Sequence, residues 1–297
     1  MWFKNIFGFK LNEEEYDNKI FQEKLETKQI KPCGKNDLDA FGWTPIFDDE
    51  DELFQKVSGS YILKYKQEKK NIPNKVVQER LKKKIKEHFK ETSQKANREE
   101  KDNFKEAIIL EMAQTAFVES SYINGYIDFK NKFLIIDTAS AKTADAFLSL
   151  LRESLGSIDV DILEPEYDAV DKMTDWLSEG SATKPFELEE GCVLKDMMGV
   201  GSKITADKHD LDVDEIKKHV SEGKKVDELD LNWHERINFR LCSDFKVKKI
   251  KFQDIVNDSV EEELGESDDQ YAKYNASMFI MVEDFAEMLT DLLGLNK

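Results

Sequence analysis

Three cysteines in 297 residues, Cys33, Cys192 and Cys242, are too few and too widely spaced for a disulfide framework or a zinc site. No CxxC pair occurs, and a reducing cytosol is the expected setting. Runs of about eighteen apolar residues are also missing, and the opening MWFKNIFGFKL has no long apolar stretch. A soluble, intracellular protein with no membrane partner is expected. Only four histidines are present (His88, His209, His219, His234), none in HExxH or His/Cys ligand spacing, so each reads as a satisfied or exposed side chain. There is no GxxxxGK[ST], and no GxGxxG follows a strand. The nearest string, Gly199-Val200-Gly201-Ser202-Lys203, lacks the spacing that cradles phosphates. Asp210, Asp212 and Asp214 alternate as metal ligands do, yet helix capping by Asp212 explains them more simply. Nothing nominates a nucleophile. A protein without catalytic site, metal or cofactor is expected.

What the chain does have is apolar material for packed cores and a great deal of charge. Hydrophobic residues make up 40%, with 19 Phe, 8 Tyr and 4 Trp, so wholesale disorder is excluded despite 36% charged residues. Acids outnumber bases 62 to 44, a formal charge of −18. The bases are segregated. From Lys64 to Lys90 eleven Lys and Arg face three acids, a surplus of +8 that leaves −26 on the remainder. Most of such a surface repels a polyanion, and one stripe of it attracts one.

Phe3, Phe7, Phe9 and Leu11 share one parity and predict a strand, followed by a helix capped by Asn12 with Glu15 that presents Tyr16, Ile20, Phe21 and Leu25. Residues 32–45 are turn-rich, and Asp48-Asp49-Glu50-Asp51-Glu52 reads as a solvated loop. Tyr61, Leu63 and Tyr65 alternate with Ile62, Lys64 and Lys66, so a strand here sends both lysines to one face. After Pro73, Asn74 can cap a helix whose narrow apolar stripe is Val77, Leu81, Ile85 and His88 or Phe89. A second helix carries Phe104, Ala107, Ile108, Met112 and Thr115 towards Phe117. Residues 122–129 and 133–138 predict a β-hairpin around Lys-Asn-Lys. From Ser140 an amphipathic helix follows, with Ala144, Phe147, Leu148, Leu151 and Leu155 inward and Gly156 as its stop. Trp176 lies on a short helix, and Asp212 with Glu215 caps another. Ile237, Phe239 and Leu241 pair with 245–252 in a hairpin whose parity slips between Lys248 and Lys249, predicting a bulge. Met278 to Val282 reads as a buried strand and Phe285 to Leu293 as a final helix. Hairpins with grouped helices imply an α+β fold. Three regions are expected: a central α+β region of 1–72 continued by 118–165, a basic helical arm of 73–117, and a C-terminal α+β region of 166–297.

A lysine-rich helix is ordinarily just a solvated face. Here the acids that normally pair at i±4 are few, and Lys64 and Lys66 extend the field off the helix. The C-terminal hairpin supplies a second cluster of Arg236, Arg240, Lys246, Lys248, Lys249 and Lys251. The candidate DNA contacts are therefore Lys64, Lys66, Lys75, Arg80, Lys82, Lys83, Lys84, Lys86, Arg236, Arg240, Lys246, Lys248 and Lys249. Without a recognition helix or zinc finger, phosphate contact without base readout is the natural reading. Two other classes stay open: a metal-dependent DNA-processing enzyme using Asp210, Asp212 and Asp214, and an acidic DNA mimic that binds a basic partner through its −26 remainder.

The chain resembles the bacterial recombination-associated RdgC family over essentially its whole length. The ordered set includes Trp2-Phe3-Lys4-Asn5, Pro32-Cys33-Gly34, Gly42-Trp43, Ile72-Pro73, Asp137-Thr-Ala-Ser-Ala-Lys142, Leu150 to Ser157, Trp176 with Gly180-Ser181-Ala182, Lys208-His209-Asp210-Leu211 and Phe279-Ile280-Met281. The resemblance implies a nucleoid-associated homodimer closed into a ring by two contacts. Its positively lined hole takes double-stranded DNA with little sequence preference, and the family restrains RecA-promoted strand exchange. It also implies that Phe117 makes a ring-closing apolar contact. Lys208 and His209 lie near the other contact, with Lys208 a further candidate for DNA. The chain departs from the pattern at Thr115 and near Gln94, where basic residues are expected, and at His209, which replaces an amide.

Overall fold

Strict alternation of side chains decides the architecture of the N-terminal half. In the computed structural model, which describes residues 2–196, 202–207, 211, 214–264 and 269–294, that half builds a seven-stranded sheet buried on both faces. Its elements are β1 (Phe7–Leu11), α1 (Asn18–Glu26), β2 (Asp39–Trp43), β3 (Phe54–Val57), β4 (Ser60–Lys70), α2 (Asn74–Thr92), α3 (Arg98–Ala113), β5 (Val118–Asp128), β6 (Phe133–Ile136), α4 (Ala141–Leu155) and β7 (Val160–Ile162). The strands run in the order β2-β4-β5-β6-β1-β7, with β3 also pairing β4, and every pairing is antiparallel. Tyr61, Leu63 and Tyr65 pack with Leu134 and Ile136 under α1 and α4, while Ile62, Tyr126, Phe133 and Ile135 join the opposite core. Gly125 lets α4 close on the sheet, because a Cβ there would lie 2.7 Å from the Phe147 ring.

The second half comprises α5 (Ala169–Glu179), β8 (Phe186–Asp196), β9 (Lys203–Asp207), α6 (Asp214–Ser221), β10 (Lys224–Trp233), β11 (Ile237–Cys242), β12 (Val247–Phe252), α7 (Asp254–Leu264) and α8 (Gln270–Leu293). Its five strands run β12-β11-β10-β8-β9, again antiparallel. Helix α8 shares one core with this sheet and with the inner face of the first. The fold is α+β, as the grouping of hairpins and helices implies.

Several expected elements stand where the pattern placed them. Ser140 caps α4, its hydroxyl accepting from Thr143 N, and Gly156 ends that helix at a positive φ. The β5–β6 hairpin forms, and Lys249 sits at φ +54 in the β11–β12 register shift, which is the expected bulge. Other expectations are corrected. Phe3 is buried but precedes the strand, whose first residue is Phe7. Helix α1 is capped by Asp17, which accepts from Lys19 N and Ile20 N, so Asn12 is not the cap and Ile20 faces water. Asn74 is the first residue of α2 rather than its cap. Met278 to Val282 belong to α8 and not to a strand. No helix among the described residues is long and apolar enough to cross a membrane.

Candidate nucleic-acid interface

Helices α2 and α3 form an antiparallel arm joined by a tight turn, with Ser93 in the left-handed region and a reciprocal Asn97–Glu100 capping box. Only a narrow seam is dry: Val77, Ala96, Ile108 and Ala113 are buried, and His88 lies against Phe104. The expected stripe of α2 is real at Val77 and half-buried at Leu81 and Ile85, whereas Phe89 is 50% exposed. Everything else on α2 faces solvent. Lys82, Lys86 and Lys90 stand at four-residue steps, so they form one column along the helix, with Lys75, Lys83 and Lys84 also exposed. Among the described residues none of these six has an ion-pair partner. Arg80 meets Glu111 at 3.2 Å, but both are exposed, and such a pair is worth about 0–1 kcal/mol and exchanges readily.

Strand β4 presents Lys64 and Lys66 on one face, as its alternation requires, and both ammonium groups lie over the ring of Tyr122 on β5, at 5.0 and 5.9 Å. Lys64 also donates to the Ile46 carbonyl at 3.1 Å, and Lys66 pairs with Glu68 at 2.7 Å. That pairing, chiefly its hydrogen bond, raises the Lys66 pKa. The Glu68 carboxyl is held below its usual range by Lys66 and by the Cys33 backbone N–H. Tyr122, half exposed between two lysines, was legible in the same alternation and is absent from the sequence-based set.

The C-terminal hairpin corrects the expectation of a second basic surface. Arg236 donates to both oxygens of buried Asp284 at 2.9 to 3.2 Å. Burial nevertheless keeps the Asp284 carboxyl above its ordinary pKa. Arg240 is 4% exposed, with Nη2 2.6 Å from Asp230 Oδ2, Nη1 3.4 Å from Glu228 and Asp207 at 4.0 Å. Its pKa is raised, first by the hydrogen bond to Asp230. Lys246 pairs with Asp244 at 2.6 Å and Lys248 with Glu228 at 3.4 Å. Lys249 and Lys251 are exposed, but they border a cavity of about 340 Å³ also lined by Glu189, Glu190, Asp207 and Asp230. Carboxylates of β10, the β11–β12 turn and α8 have absorbed the charge of Arg236, Arg240, Lys246 and Lys248.

Phe117 sits at the junction of α3 and β5 and is 87% exposed, beside Val118 at 42%. Its carbonyl accepts from Asn71 N at 2.8 Å, so the backbone is fixed while the ring projects into water. Phe117 and Val118 together leave a small apolar patch exposed at that junction. Lys208, His209, Asp210 and Asp212 lie outside the described residues, as does the side chain of Asp214. Among the described residues no group of three or more His, Cys, Asp and Glu side chains is arranged to hold a metal ion. Burial pushes the thiols of Cys192 and Cys242 up to about 11, so both are protonated at neutral pH.

A family model described as "Putative exonuclease, RdgC" matches residues 1–295. The chain is similar to the recombination-associated protein RdgC of Enterobacter sp. (strain 638), 32% identical over 295 residues, which covers 99% of this chain and 97% of that one. It is 31% identical, with the same coverage, to the proteins of that name from Salmonella typhimurium and Salmonella paratyphi B. With matches that run end to end, the chain belongs to the RdgC family of recombination-associated proteins.

Proposed function

We propose that this protein is a non-catalytic, nucleoid-associated binder of duplex DNA that assembles as a homodimeric ring and restrains RecA-dependent recombination. The observation that carries this reading is the set of exposed lysines along α2 that form no ion pair among the described residues, on a chain whose net charge is −18. Lysines that have no internal carboxylate to satisfy are free to exchange their counterions for phosphates, and binding of that kind is indifferent to base sequence. The anchored, 87% exposed Phe117 supplies an apolar contact for a second copy of the chain at the base of the same arm. Lys64, Lys66, Lys75, Arg80, Lys82, Lys83, Lys84 and Lys86 are the phosphate contacts in this reading, and Lys249 extends the path on the other half. Electrophoretic shifts with linear and closed circular duplexes, run beside gel filtration, test it. Affinity should fall by roughly 10³ or more between about 50 and 200 mM salt. A flat salt response, or a strong preference for one sequence, overturns the reading.

The family description favours one rival, a nuclease built on Asp210, Asp212 and Asp214. Magnesium-dependent shortening of an end-labelled duplex by the purified protein would establish that rival and remove the non-catalytic reading. A third reading, a DNA mimic, requires RecA binding without any duplex binding.

A further inference from the structure

We propose that the outer end of the α2–α3 arm is a docking site for an acidic peptide carrying one bulky apolar side chain. A depression of about 450 Å³ lies there, lined by Ile85, Lys86, Phe89 and Lys90 of α2, Lys95 and Ala96 of the turn, and Lys101 of α3. Its floor is apolar: Ile85 is half-buried, Ala96 is 5% exposed, and the Phe89 ring stands half in water. Its rim is four lysines, all exposed, with no acidic side chain in the lining and no ion-pair partner among the described residues. The left-handed Ser93 and the Asn97–Glu100 capping box fix the turn that closes the site.

This combination selects its ligand by chemistry. Duplex phosphates would satisfy the lysines but have no use for Phe89, because a duplex keeps its apolar bases stacked inside. A neutral apolar segment would cover Phe89 and leave four cations desolvated against it. A peptide with carboxylates flanking one aromatic or branched aliphatic residue satisfies both parts, the side chain on the floor and the carboxylates at the rim. The volume is ample for one such side chain and falls within the range of small-ligand pockets, about 300–1,000 Å³.

The test uses the full-length protein and a short fluorescein-labelled peptide, rich in Asp with a single Phe, read by fluorescence anisotropy. Wild type should bind it with an affinity that falls as salt rises. Replacing the peptide's Phe by Ser, or its Asp by Lys, should weaken binding by about tenfold or more. Phe89→Ala and the Lys90→Glu/Lys101→Glu pair should do the same without changing thermal unfolding, and Phe89→Ala should leave duplex affinity unchanged. Equal binding of the Phe and Ser peptides would mean unspecific charge attraction and overturn the proposal. So would binding seen only in Phe117→Ser, which would assign the depression to a second copy. Loss of duplex affinity in Phe89→Ala would hand the site to DNA and likewise end the proposal.

Discussion

Helix α2 and the β11–β12 hairpin carry similar densities of Lys and Arg, and the structure puts them to opposite uses. On α2 six lysines form no ion pair among the described residues, and their charge is presented outward. On the hairpin, Arg236 and Arg240 are bound to Asp284, Asp230 and Glu228, and the charge is consumed internally. A basic stretch thus becomes a surface only where its neighbours in space, and not merely in sequence, are apolar or absent. The same kind of cation is presented to solvent in one place and is a strut in the other.

The contrast is broken most directly at Arg240. Arg240→Ala leaves Asp230 without its cation and Glu228 with Lys248 alone, and because both carboxylates are partly exposed it should cost about 2–3 kcal/mol in a denaturant titration. A variant that folds normally yet loses duplex affinity would place Arg240 among the presented charges instead. On the arm, Lys82→Glu/Lys83→Glu/Lys84→Glu should leave stability within about 0.5 kcal/mol, as exposed substitutions do. It should also flatten the salt dependence by roughly 0.9 for each phosphate no longer neutralised. Unchanged duplex affinity in a shift assay would return this run to an idle solvated face.

Phe117 sharpens the comparison for apolar groups. Phe117→Ser should shift the unfolding free energy by about 0.5 kcal/mol or less, against about 3–5 kcal/mol for Phe147→Ala in the core beneath α4. Phe117→Ser should dissociate faster from closed circles while gel filtration still gives a dimer. A large drop in melting temperature would assign Phe117 to a core. Lys66, half presented and half consumed, tests the middle of the contrast. Glu68 has a depressed pKa, so its stabilisation is present above the ordinary carboxylate value of about 4.3 and is lost as pH falls through its folded pKa. Glu68→Gln should therefore lower the melting temperature at neutral pH, by about 1 kcal/mol or less in free energy, and the difference should close in acid. A gap that widens in acid would contradict that assignment.

Legibility in the sequence tracked how local the deciding interactions are. The α4 helix was readable from end to end because Ser140, the apolar face and Gly156 all act within a few residues. The bulge at Lys249 showed as a slip of parity between adjacent lysines. Met278 to Val282 misled because five apolar residues in a row show no period: the exposed edge of α8 falls here on Phe279, 41% exposed, and its polar positions Glu283, Glu287 and Thr290 come only afterwards. The arm lysines were readable because exposure demands nothing from elsewhere in the chain. Arg240 was not, since its partners lie 10 and 12 residues away across strands, and the partner of Arg236 is 48 residues away on α8.

The β4–β5 ladder has a mechanical consequence. It runs unbroken from Ser60↔Asp128 to Lys70↔Val118, but β6 supports β5 only over Gly125 to Asp128. From Gly125 to Val118 the strand reaches about 23 Å beyond β6 at 3.3 Å per residue, like a plank held by β6 at one end and stiffened along its other edge by β4, which pairs in turn with β2 from Tyr65 to Lys69. The arm and Phe117 ride on its tip. A tilt of about 5° at that end would carry the tip through roughly 2 Å, and the exposed lysines of α2 with it. Amides of 118–122 should exchange with deuterium faster than those of 125–128, and equal protection along the strand would mean the plank is braced throughout.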